Sequence, residues 1–105
     1  MFKEREHVCQ VLTAFLKSSG DGGVVLLENE GEQRTVIVER EALLEFASPR
    51  RADECRLQQS IGPICEIAAA KLRQRTIGPY ERIRIRGSDV VNWKHTAEIP
   101  FQDRI

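Results

Sequence analysis

Residues 82–86 read Arg82-Ile83-Arg84-Ile85-Arg86. Strict alternation of charged and apolar residues is the period of a strand buried on one face, since successive side chains point to opposite sides of a sheet. The two isoleucines are expected to face a core. The three arginines are expected to project from the other face, about 7 Å apart at roughly 3.3 Å per residue.

Two further strands are expected upstream. Val24-Val25-Leu26-Leu27 is an apolar run bounded by turn residues, which suits a strand buried on both faces. Gln33 to Val38 is rich in β-branched residues. Asn29-Glu30-Gly31-Glu32 lies between them, with Gly31 able to take positive φ, so residues 24–38 read as a β-hairpin.

Helices are expected around these strands. Val8, Val11, Leu12, Phe15 and Leu16 fall at i, i+3, i+4, i+7 and i+8, predicting a helix over about residues 2–18 that ends at Ser18-Ser19-Gly20. Leu43, Leu44, Phe46 and Ala47 make a short apolar face over residues 39–47, with Glu39 and Glu41 at the favourable N-terminus and Ser48-Pro49 as the stop. Ala52 to Gln74 reads as a second helical stretch with Ile64, Ile67, Ala68 and Leu72 as its stripe. Gly62-Pro63 interrupts it, and Pro63 suits the first position of a restarted helix. The tail, residues 91–105, holds Trp93, Ile99, Pro100 and Phe101 and reads equally as an edge strand, an extended segment or a partly mobile one.

The expected class is therefore α+β, in the order α-β-β-α-α-β. A small antiparallel sheet carries helices packed on one face and arginines on the other. The chain's 105 residues fit one domain, with its core at about 24–90. Hydrophobic residues at 41% and charged residues at 30% exclude a disordered chain. No apolar run reaches the roughly 18–20 residues needed to span a bilayer, so no membrane partner is expected. No secretory leader is visible, and Cys9, Cys55 and Cys65 are odd in number without a Cys-x-x-Cys, so a reducing cytoplasm is expected. In one helix Cys55 and Cys65 would lie about 15 Å apart, too far to bridge. Cys65 reads as a small core residue.

The formal net charge of +0 conceals a dipole. Residues 28–54 carry eight acids against four arginines, whereas residues 71–86 carry six cations (Lys71, Arg73, Arg75, Arg82, Arg84 and Arg86) against Glu81 alone. Arg82, Arg84, Arg86, Arg73 and Arg75 are the candidate binding residues, able to attract an anion or an acidic partner. The plain alternative is a solvated outer face, partly neutralised by acids on neighbouring strands. Tyr80 is the only aromatic residue near these arginines, which leaves few stacking platforms for single-stranded nucleic acid.

Other chemistry finds little footing. His7 and Cys9 form one close pair, short of the four ligands a zinc site takes, so no metal is expected. Ser88, Asp89 and His95 are the residue types of a hydrolytic triad, but no nucleophile-elbow motif surrounds the serine. Ser88-Asp89 reads instead as the cap of a turn or helix after the strand. Gly20-Asp21-Gly22-Gly23 precedes a strand, whereas phosphate-cradling loops lead from a strand into a helix, so no nucleotide cofactor is expected.

Three stretches carry a family resemblance. They are Val36-Ile37-Val38-Glu39-Arg40-Glu41-Ala42-Leu43, the spacing Ile64-x-x-Ile67-Ala68-x-x-Lys71, and Ile83-Arg84-Ile85-Arg86-Gly87-Ser88-Asp89-Val90. Together they resemble a bacterial family known as domain of unknown function 1488, over about residues 24–90. The resemblance implies a compact α+β fold and carries over no catalytic residue.

Three functional readings follow, in descending order. The first is a non-enzymatic protein-interaction or regulatory module that uses the Arg82/Arg84/Arg86 face, with an unidentified protein or a second copy of the chain as partner. The second is a nucleic-acid or polyanion binder that adds Arg73 and Arg75. The third is a small hydrolytic enzyme using Ser88, Asp89 or His95.

Overall fold

The computed structural model describes residues 10–103 apart from 75 and 79, with only the backbone described for 97–103. Its elements are β1 (Gln10–Leu16), β2 (Gly22–Asn29), β3 (Glu32–Glu39), α1 (Arg40–Glu45), α2 (Glu54–Gln59), α3 (Ile61–Gln74), β4 (Ile83–Ile85) and α4 (Gly87–Asp103). The α+β class is as expected. The order is β-β-β-α-α-α-β-α rather than α-β-β-α-α-β.

The hairpin of β2 and β3 forms for the reason its sequence suggests. Asn29 pairs with Glu32, leaving a two-residue loop. Glu30 (φ 55°) and Gly31 (φ 83°) both take positive φ, as the turn that matches strand twist requires. Val25, Leu27, Val36 and Val38 point into the core, while Val24 and Leu26 are half-buried on the opposite face. The run at 24–27 is therefore fully covered on one side only.

Residues 10–16 correct the expected N-terminal helix, and residues 2–9 of that helix lie outside the described ones. They form β1, antiparallel to β2, with a register shift between Val11 and Thr13. This bulge inserts one residue, so Val11, Ala14 and Leu16 all pack toward the core at spacings of three and two. The insertion imitates the i, i+3 spacing of a helix face.

The sheet is mixed, which corrects the all-antiparallel expectation. Its strand order is β1-β2-β3-β4, and β4 runs parallel to β3 with Val36, Ile37 and Val38 opposite Ile83, Arg84 and Ile85. Parallel neighbours need a long crossover, and residues 40–82 supply one through α1, α2 and α3. Ile83 and Ile85 are buried against Val36 and Val38, and the helices contribute Leu43, Leu57, Ile64, Ile67 and Ala68 to the same cluster.

The break in the long helical stretch falls at Ser60, before Gly62-Pro63. Pro63 sits in the first turn of α3, where its missing N–H leaves no hydrogen bond unmade. Arg56 is buried, its guanidinium donating to the carbonyls of Ala47 (2.9 Å) and Pro49 (3.0 Å) and so fastening the segment between α1 and α2. The tail through Asp103 continues α4 as a helix, which corrects all three expected alternatives, the edge strand, the extended segment and the partly mobile one. Val90 anchors α4 in the core, and Lys94 Nζ donates to the last-turn carbonyl of Glu45 on α1 at 2.7 Å.

Two glycines separate conformational strain from collision. At Gly31 an added Cβ meets nothing within 4 Å, so Gly31→Ala is expected to cost about 1 kcal/mol through its left-handed backbone alone. At Gly22 (φ 129°) an added Cβ would collide with the Val38 carbonyl oxygen. Gly22→Ala should therefore lower the denaturation midpoint several times further than Gly31→Ala.

Asp53 caps α2. Its carboxylate accepts from the Arg56 N–H (2.9 Å) and from the Arg51 guanidinium (2.9 and 2.7 Å), and these bonds, the backbone one first, hold it below the ordinary carboxylate range. A depressed native pKa adds stability above the unfolded value of about 3.9, lost as pH falls through the native value. Asp53→Ala should thus flatten the fall of Tm between about pH 5 and pH 3 relative to the parent chain.

Candidate functional site

Three elements meet at the β4 end of the sheet. β4 supplies alternating side chains, α3 brings its last turn, and α4 starts two residues after Ile85. The loop that delivers the chain from α3 to β4 is tied to β3 by Arg34. Its guanidinium donates to the carbonyls of Ile77 (3.0 Å) and Gly78 (2.7 Å) and pairs with Glu32 at 2.7 Å. The Gly78 N–H in turn donates to Glu81 Oε1 at 3.2 Å. In the sequence Arg34 counts only as one charge in an acidic stretch, and nothing local signals its long-range role.

A groove of about 530 Å³ lies here, lined by Arg82, Arg84 and Arg86, by Lys71 and Gln74 of α3, and by Ser88 and Asp89 of α4, with Ile77 and Ile83 as its apolar part. Of the five sequence-predicted residues, the structure brings Arg82, Arg84 and Arg86 together. Arg73 is exposed on α3 but points away, since it follows Lys71 by two positions, about 200° around the helix. Arg75 lies outside the described residues. Lys71 joins the site in their place; its i+3 and i+4 relation to Ala68 and Ile67 is the signal that puts it at the margin of the apolar stripe.

The charges are only partly balanced. Glu39, at the end of β3, pairs with Arg84 (3.4 Å) and more loosely with Arg86 (3.9 Å), the neighbouring-strand neutralisation expected of a surface strand. These side chains are 51% and 66% exposed, so the pairs contribute little and are readily exchanged for another carboxylate. Lys71 pairs with Asp89 at 3.2 Å. Arg82 has no ion pair among the described residues.

Asp89 has a structural task. Its Oδ2 accepts the Arg86 N–H at 2.8 Å, closing the first turn of α4, while its Oδ1 faces Lys71. Both oxygens are thus engaged. Ser88 and His95 are seven residues apart on one helix, roughly 10 Å along its axis, so they do not form a nucleophile–base pair. Trp93 donates its indole N–H to Glu66 at 2.9 Å and meets Phe46 edge-on at 6.4 Å, anchoring α4.

Cys55 is exposed, Cys65 is half-buried against the core, and Cys9 lies outside the described residues. Among the described residues no group of three His, Cys, Asp or Glu side chains is placed to hold a metal ion. Among them, too, no helix is long and apolar enough to cross a membrane. Compared with protein-family models, curated proteins and solved structures, the chain matches none, which adds nothing to the resemblance over residues 24–90.

Because Arg34 gives one guanidinium nitrogen to the Ile77 and Gly78 carbonyls and the other to Glu32, a single amine cannot make all three contacts at once in the same geometry. Arg34→Lys is expected to cost about 1–2 kcal/mol and to speed backbone hydrogen exchange selectively over residues 76–82, read by mass spectrometry.

Proposed function

We propose that this chain is a non-enzymatic interaction module that docks an acidic protein partner in the groove beside β4. One observation carries the reading: Arg82, Arg84, Arg86 and Lys71 converge on a single concave surface, where Glu39 pairs with Arg84 and Arg86, and Asp89 with Lys71. An excess of positive charge in a groove raises the local concentration of anionic partners and speeds their association. The half-exposed pairs with Glu39 can yield to a partner's carboxylates at small cost.

The groove fits a protein better than a nucleic acid. Tyr80, the aromatic residue nearest the arginines in sequence, is 96% exposed and does not line it, so bases find no stacking platform there. Arg73 points elsewhere, which shortens any continuous track for a phosphate backbone. Among the described residues, Ser88 and His95 stand too far apart along α4 to act as a hydrolytic pair.

Fluorescence anisotropy with a labelled hexaglutamate peptide and a labelled single-stranded oligonucleotide, at about 50 and 200 mM salt, tests this reading. The peptide should bind, and Arg82→Glu/Arg84→Glu should weaken it at least about tenfold without changing the circular dichroism. Tighter, steeply salt-dependent binding of the oligonucleotide, lost in the same variant, would instead establish the polyanion-binding function.

A further inference from the structure

Resting on that reading, we infer that the acidic partner docks as an extended segment that adds a fifth strand along the free edge of β4. The sheet has two edges, and the chain treats them differently. Along β1, α2 closes the edge: Glu54 Oε1 accepts the Leu16 N–H at 3.2 Å, and Gln58 Nε2 donates to the Ala14 carbonyl at 3.2 Å. Glu54 and Gln58 also bond each other at 2.7 Å, so the two plugs hold one another in place. The bulge between Val11 and Thr13 further spoils that edge for pairing.

Along β4 there is no such closure. The strand order ends at β4, so among the described residues no strand pairs with its outer side. An open edge offers its backbone groups to any extended chain. What selects the chain is charge. Arginines recur at every second position, about 7 Å apart, which is the repeat of side chains on one face of a strand laid alongside. A segment with Glu or Asp at alternate positions places one carboxylate near each arginine. Its intervening residues meet Ile77 and Ile83. Neutral chains gain no such contacts and basic ones meet repulsion, so the cationic edge favours acidic chains over both.

The test separates strand addition from simple charge attraction. Two labelled peptides of sequence Glu-Thr-Glu-Thr-Glu-Thr-Glu are compared, one with native amides and one N-methylated at every residue after the first, which removes the backbone donors of both strand edges and keeps every charge. Strand addition predicts that the native peptide binds at least about tenfold more tightly. It also predicts slowed amide exchange at residues 83–85 on saturation with that peptide. Equal affinity for both, still lost in Arg82→Glu/Arg84→Glu, overturns strand addition and leaves the docking reading standing. Failure of both peptides to bind overturns the two together. Self-association of the chain that the milder Arg82→Gln/Arg84→Gln variant abolishes, measured by sedimentation, would put a second copy on this edge and likewise overturn the inference.

Discussion

Everything at the candidate site depends on Ile83 and Ile85 docking in parallel beside Val36 and Val38. Both isoleucines are buried in the cluster that also takes Leu43, Leu57, Ile64 and Val90. Burying each is worth roughly 1.5–3 kcal/mol, ample to hold a three-residue strand that backbone pairing alone would not keep. Once those two side chains point inward, Arg84 must point outward beside Ile37, and the chain must leave the sheet where α4 begins. The cationic groove is thus a consequence of core packing. No separate device is needed to assemble it.

The rest of the structure defends that arrangement. Arg34 fixes the approach to β4 through two carbonyls, and Asp89 fixes the exit by closing the first turn of α4. Lys94 and Trp93 then brace α4 against α1 and α3. The strand is held firmly at both ends, yet its outer edge and its arginines remain accessible. Rigid support beneath an exposed polar surface is what a docking site needs, because little ordering entropy is then lost on binding.

The sequence was legible where a local period and its turn chemistry agreed. The hairpin of β2 and β3 combines β-branched residues with a Glu30-Gly31 turn, and the alternation at 82–86 holds a strand, shorter than expected at 83–85, with its isoleucines inward. It misled where a tertiary feature altered the period. The bulge in β1 spaces Val11, Ala14 and Leu16 like part of a helix face, and α4 carries weak apolar periodicity through Pro100. Strand direction was also hidden, since a strand's own residues do not say whether its neighbour runs parallel; only the helical crossover at 40–82 decides it. At the site, three arginines could be read from their spacing. For Lys71 the apolar stripe signals only a place at the margin of α3; its place beside the arginines follows from how α3 crosses the sheet end, and Arg73 was drawn in by sequence proximity alone.

The parallel pairing of β3 and β4 is most directly tested by nuclear Overhauser contacts in the labelled protein. The account predicts inter-strand backbone contacts linking Val36 with Ile83, Ile37 with Arg84 and Val38 with Ile85, in the evenly spaced pattern of a parallel ladder. Contacts of an antiparallel ladder, or i to i+3 contacts of a helix within residues 82–86, would contradict it and dissolve the groove.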